Sequence, residues 1–287
     1  MALFSKKEKS VPEPQYYTSA TNEQTYNYNV YYMSVKEKIL YFSLAFFVGG
    51  IVGYLFFGGL AKDNYGNATT MTYVLNAIVF CVLGVIAGKA FLPMRTSQII
   101  EKKRKMLNSQ FRDMLEGLTT AIGAGKNIPD AFASVRDDLT NQYNDDAFIL
   151  SEVNTILNGL QNNINIEDLL LDFGKRSGIN EIDNFANVFK VCYRKGGNIK
   201  DVIRNTHEIL SDKMEINEEV LTTISSSKLN LNIMTIMPVF MIAAIKMMSP
   251  DFAKNFATPA GIAATIVAVV IFVLAYFIGK KIMVIKL

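Results

Sequence analysis

Asn127-Ile128-Pro129-Asp130, Asn165-Ile166-Glu167-Asp168 and Asn198-Ile199-Lys200-Asp201 are three copies of one phrase, spaced 38 and 33 residues apart. In each copy the Asn side chain can accept from an unpaired N–H of a first helical turn. The Asp three residues on can reach back to the Asn backbone, a variant of the capping box. That Asp also faces the positive end of the helix dipole. Each phrase therefore predicts a helix start. The glycines ahead of two copies, Gly123 and Gly125, then Gly196 and Gly197, suit the end of the preceding helix. Spacing in the thirties is that of helical repeat units, and the pattern predicts three helical hairpins built to one plan.

Four apolar stretches flank this middle, at roughly 39–60, 71–92, 229–248 and 261–279. Each has about the ~20 residues a helix needs to cross the hydrocarbon core. The first and last carry no charge; the second meets only Lys89 and the third only Lys246, which can snorkel to an interface. The fold class expected is all-α: a polytopic membrane protein, two transmembrane helices before and two after a six-helix cytoplasmic bundle. Residues 1–37, with Pro12, Pro14 and no apolar run, read as a mobile cytoplasmic tail. Residues 38–93 hold the first two spans, 98–227 the cytoplasmic domain, and 228–287 the last two spans with a short basic end. No short h-region with a cleavage site follows Lys6, Lys7 and Lys9, so the first span reads as a retained helix.

Basic residues set the expected topology. Residues 1–38 carry five Lys, 93–228 carry 17 Lys and Arg, and Lys280, Lys281 and Lys286 close the chain, against Lys62 and Lys254 alone in the two short loops. The positive-inside rule then puts both termini and the middle domain in the cytoplasm of a cell, plasma or inner, membrane. The cluster Lys102, Lys103, Arg104 and Lys105 reads as a membrane-surface anchor on lipid headgroups. The 20 acids that accompany those 17 bases give no nucleic-acid footprint.

Within the middle domain the apolar spacing is helical throughout. Leu107, Phe111, Met114, Leu115, Leu118 and Ile122 mark the first helix and Phe132, Val135 and Leu139 the second. Ile149, Val153 and Ile156 mark the third, Leu169, Leu170 and Phe173 the fourth, Ile182, Phe185 and Phe189 the fifth, and Val202, Ile203 and Leu210 the sixth. Gly123-Ala124-Gly125-Lys126-Asn127 imitates part of a phosphate loop, but Thr120 stands where the first Gly belongs and Asn127 where Ser or Thr belongs. No catalytic constellation, cofactor motif or metal-ligand spacing emerges; Cys81, Cys192 and His207 are scattered, and the chain is read as a non-enzyme. Gly49-x-x-x-Gly53 and Gly84-x-x-x-Gly88 would permit close approach of the first two spans. Pro238 is expected to kink or unwind the third span, near Asn230 and Asn232, whose polar groups favour an assembly over a lone chain.

Phe111-Arg-Asp-Met-Leu-Glu-Gly-Leu-Thr-Thr-Ala-Ile-Gly-Ala-Gly-Lys-Asn-Ile-Pro-Asp-Ala-Phe132 resembles the opening of a type II secretion system F domain. Phe189-Lys-Val-Cys-Tyr-Arg-Lys-Gly-Gly-Asn-Ile-Lys-Asp-Val-Ile203 is similar to its later Arg-x-Gly-Gly-Asn element. The layout of two spans, one such domain and two spans resembles the TadB-like platforms of Flp/Tad pili within the GspF/PilC family. That resemblance covers about Lys36 to Leu287 and implies a non-enzymatic platform of a type IV-like pilus or secretion machine. It would sit on a TadA-like secretion ATPase, pair with a TadC-like protein, and pass motion to pilin subunits as a homo- or hetero-oligomer. The alternative reading is a permease or transporter subunit coupled to a separate ATPase. Such a subunit should show polar groups along a pathway at the membrane midplane.

Overall fold

The computed structural model of this chain describes residues 13–19, 21–60, 68–248, 255 and 258–283. It divides into two units: a helical unit of residues 13–32 with Thr96–Met214, and an apolar unit of Met33–Arg95 with the chain from Glu215 onward. All but two of its elements are helices. Four of these are long and apolar enough to cross a membrane, which points to a membrane protein.

In the helical unit, α2 (Thr70–Gly123) supplies its C-terminal half, followed by α3 (Ile128–Gln142), α4 (Phe148–Gln161), α5 (Ile166–Ser177), α6 (Asn180–Arg194) and the start of α7 (Ile199–Met248). One apolar core joins them, and the periodic residues read from the sequence fill it. Leu107, Phe111, Val135, Val153, Phe173, Phe189 and Ile203 are all buried there. Phe111 lies edge-on to Phe173 and Phe185, with ring centroids 6.1 and 5.5 Å away.

Three connections in this unit share one geometry. After α2, Lys126 N–H donates to Ala121 O at 3.1 Å and Gly125 N–H to Ile122 O at 3.0 Å. After α4, Ile164 N–H donates to Gly159 O at 2.9 Å and Asn163 N–H to Leu160 O at 3.1 Å; after α6, Gly197 N–H donates to Cys192 O at 2.8 Å. These are Schellman-type ends, with Gly125, Asn163 and Gly196 left-handed at φ +84°, +59° and +67°. Each left-handed residue stands two places before the Asn of the repeated phrase, so the repeat is longer than the phrase itself. Asn127 Oδ1 then accepts from Asp130 N–H at 2.9 Å, and Asn198 Oδ1 from Asp201 N–H at 3.4 Å. Asn165 departs from this pattern: it caps with its backbone carbonyl, which accepts from Asp168 N–H at 3.1 Å. The Asp168 and Asp201 carboxylates bond the Asn side-chain amides, where a capping box would have them reach the backbone.

The tail assignment needs correction. Within residues 1–37, β1 (Tyr16–Thr18) pairs antiparallel with β2 (Gln24–Tyr26), and Tyr28 beyond them is buried among the helices. The composition lacked aliphatic runs, but alternating aromatics supply the burial instead. The rest of that tail ends in a helix start. Ser34 accepts from Glu37 N–H, and the Glu37 carboxylate accepts from Ser34 N–H at 2.9 Å, a complete capping box.

That box opens α1 (Val35–Phe57), which with the first part of α2, the last part of α7 and α8 (Pro259–Met283) makes the apolar unit. Both glycine pairs lie at a close helix approach. A Cβ on Gly84 would stand 2.8 Å from Phe46 O, one on Gly53 2.5 Å from Leu83, and one on Gly88 2.5 Å from the Phe42 ring. The helix is not unwound at Pro93 or at Pro238, and both α2 and α7 continue through them. The second span and the first cytoplasmic helix read from the sequence are thus one helix. Lys62, Asn67, Ser249, Pro250, Lys254 and Lys286 lie outside the described residues.

Each unit yields a stability test. Phe189→Ala is expected to destabilise by roughly 3–5 kcal/mol, since Phe189 is 1% exposed, measured by denaturant melting of the full chain in detergent. Gly84→Leu should lower the melting temperature while Gly125→Asn, at an open left-handed turn, should change it far less.

Candidate functional site

The most heavily bonded feature is where residues 26–29 clasp α4 and α5. Arg176, on α5, is 1% exposed and Glu152, on α4, is 2% exposed. Arg176 Nη1 donates to Glu152 Oε1 at 2.7 Å and Nη2 to Oε2 at 2.6 Å, a two-pronged pair. Its Nε donates to Asp172 Oδ2 at 2.7 Å, and Nη1 also to Tyr26 O at 3.2 Å. Tyr28 completes the group: its hydroxyl donates to Glu152 Oε1 at 3.0 Å and its N–H to Arg176 O at 3.0 Å. Burial alone would lower the Arg176 guanidinium, but the bonds from Glu152 and the charge of Asp172 outweigh it and hold the group charged. Burial, then the Glu152 carboxylate, push the Tyr28 phenol well above its usual value.

Two of the four cluster bases read as a headgroup anchor belong to this clasp. Lys103 Nζ donates to Tyr26 OH at 2.8 Å and lies 4.8 Å from the Tyr26 ring centre and 4.4 Å from that of Tyr31. Arg104 Nε donates to Tyr28 O at 3.2 Å, its Nη2 to Asn29 Oδ1, and its burial lowers its pKa. Lys102 and Lys105 stay exposed, Lys105 paired with Glu101. Gly178, at the left-handed end of α5, lets this happen: a Cβ there would strike Asn29 Oδ1 and stand 2.5 Å from Arg104 Nη2. The sequence reading missed the clasp. Its one signal was a run of Tyr and Asn at 26–32 too aromatic for a solvated tail.

The family-like element 194–198 also finds partners. Arg194 Nε donates to Glu167 Oε1 at 3.1 Å, tying the end of α6 to the phrase that opens α5, while Gly196 and Gly197 make the turn. In the same unit Tyr143 donates to Asp113, and burial followed by that carboxylate raises the Tyr143 phenol to about 12.

In the apolar unit, polar contacts gather at the C-terminal end of α1. Gly59 N–H donates to Asn76 Oδ1 at 2.9 Å, and Lys246 Nζ donates to Phe56 O at 3.4 Å and Gly58 O at 3.5 Å. Lys246 therefore neutralises the negative end of α1 from a neighbouring helix. Beside it a cavity of about 630 Å³ runs between α1, α2, α7 and α8. Its single side-chain hydroxyl, Thr235, donates to Leu231 O of its own helix at 2.7 Å. Among the described residues no three His, Cys, Asp or Glu side chains group to hold a metal ion.

Comparison with protein-family models, with curated proteins and with solved structures returns no match. The arrangement itself therefore carries the functional argument. Its buried charges, Arg176, Glu152 and Glu167, are held in ion pairs.

Glu152→Ala is expected to cost about 3–5 kcal/mol, because it leaves the Arg176 guanidinium buried and uncompensated. The pair Glu152→Leu with Arg176→Met should lose less than either single change, read from equilibrium unfolding. For Tyr143 the folded pKa of about 12 lies above the ordinary tyrosine value of 10.0, so the folded state holds the proton more tightly. Its contribution is full below pH 10 and fades as pH rises toward 12. Tyr143→Phe should remove that part of the alkaline loss, seen in melting curves across this range.

Proposed function

We propose that this chain is a membrane platform protein of a Tad (Flp) type IV-like pilus or type II-like secretion machine. On this reading the helical unit is an F-type bundle of three helical hairpins in the cytoplasm. Both termini lie on the same side, and the protein sits in a plasma or inner membrane. It takes up motion from a TadA-like secretion ATPase and passes it, with a TadC-like partner, to pilin subunits. One observation carries the proposal beyond the resemblance in residues 111–132 and 189–203. Helix α2 holds a membrane-length apolar stretch and a core segment of the helical unit on one unbroken helix, and α7 holds the same two parts in reverse order. A chain built to transmit displacement needs such continuous members, two of them, entering and leaving the working domain.

The transporter alternative is less well supported. A pathway for a polar solute needs polar groups facing it at midplane. The large cavity of the apolar unit offers only Thr235, whose hydroxyl is already bonded.

The test is a flexible Gly-Ser insertion into α7 between Ser225 and Lys228. It should abolish pilus assembly while membrane insertion and ATPase copurification persist. Normal piliation, or failure of native-membrane copurification to yield a secretion ATPase and small single-span pilins with the unmodified chain, would refute the proposal. Labelling of an Asn162→Cys variant from outside intact cells would refute the orientation separately.

A further inference from the structure

The cavity of the apolar unit is lined along α1 from Leu44 to Phe57. Those 13 steps of helix correspond to roughly 20 Å at 1.5 Å per residue, so the space is a slot and not a sphere. Its walls are hydrocarbon, including Val48, Leu83, Pro238, Val239 and Phe272. Its volume of about 630 Å³ is spread along that whole length. A space so long, narrow and apolar suits a single flexible hydrocarbon chain. The slot is also charged at one end. Phe56 lines it and its carbonyl oxygen accepts from Lys246 Nζ at 3.4 Å, and Lys246 lies one helical turn beyond the lining residue Ile242. A half-buried ammonium at the mouth of an apolar slot complements a phosphate joined to an acyl chain.

We infer that this slot binds one acyl chain of an anionic phospholipid, with the Lys246 ammonium at the phosphate end. The inference rests on the four apolar helices lying in a membrane. The bound lipid fills space that the glycine-mediated contact of α1 with α2 leaves open, and so becomes a fifth apolar element of the unit. Lys246 then meets the lipid phosphate in addition to the carbonyl end of α1.

The chain has no Trp, so one introduced indole reports alone. Phe272→Trp places it in the slot wall, and Phe240→Trp, at a position 75% exposed, places it on the outer surface of α7. Both full-length variants are reconstituted with phosphatidylglycerol brominated on its acyl chains, then diluted into unbrominated detergent. Quenching at position 272 is expected to persist after quenching at position 240 has gone. Lys246→Gln should shorten that persistence to the value seen with brominated phosphatidylcholine, and Lys246→Arg should restore it. Loss in parallel at both positions would overturn the site. Equal persistence with brominated free fatty acid would overturn the phosphate assignment. If Phe272→Trp fails to fold, native mass spectrometry of the unmodified chain should retain one phospholipid that Ala268→Phe, which fills the slot, releases. Equal retention by the two would overturn the proposal. Alkaline carbonate extraction of membranes distinguishes the underlying premise, since release of the chain into the supernatant would refute membrane embedding itself.

Discussion

A guanidinium carries five N–H donors and a charge that cannot be shed, and Arg176 takes all of this into the interior of the helical unit. Desolvation on that scale is tolerated only when acceptors surround the group. They come from three places in the sequence: Glu152 on α4, Asp172 one turn back on α5, and the Tyr26 carbonyl of the N-terminal segment. The position of each is thereby fixed by the same side chain. Helix α4 is set against α5, and residues 26–29 are held to both. Tyr28 seals the network because its ring is buried while its hydroxyl serves Glu152. Gly178 and Arg104 follow as consequences, one making room for Asn29 and the other bonding it.

Much of this architecture was legible in the residues. The repeated Asn-Ile-x-Asp phrase located three helix starts because capping is a local interaction, decided within four residues. The apolar periodicity of Phe111, Phe173 and Phe189 located the core because helix geometry alone brings those positions to one face. The paired glycines of α1 and α2 read correctly for a similar reason, since small residues one turn apart leave a groove whatever lies opposite. What stayed hidden was non-local. Lys103 and Arg104 look like a headgroup anchor until Tyr26, Tyr28 and Asn29 stand beside them. No spacing rule links residues 75 positions apart. The Asn163 turn escaped notice because the left-handed position held Asn, where the other two copies hold Gly.

The apolar unit solves a different problem. Its interior cannot be driven together by water exclusion, so contact quality decides which helices touch. Helices α1 and α2 meet through glycine, with Phe42, Phe46 and Leu83 seated over the missing side chains. At the end of α1, Asn76 and Lys246 answer backbone atoms that the helix itself leaves unpaired. The slot lies between this glycine contact and the side chains of α7 and α8.

The clasp also imposes an order on synthesis. Tyr28 and its partner Glu152 are 124 residues apart, and Tyr26 and Arg176 are 150 apart. At ribosomal rates of ~5–20 residues per second, the N-terminal strands wait roughly 8–30 s before Arg176 emerges to receive them. During that interval α1, α2, α3 and α4 leave the ribosome in turn. The hairpin can dock only on a domain already built as far as α5, so residues 16–29 are made before the helices they clasp and are placed after them.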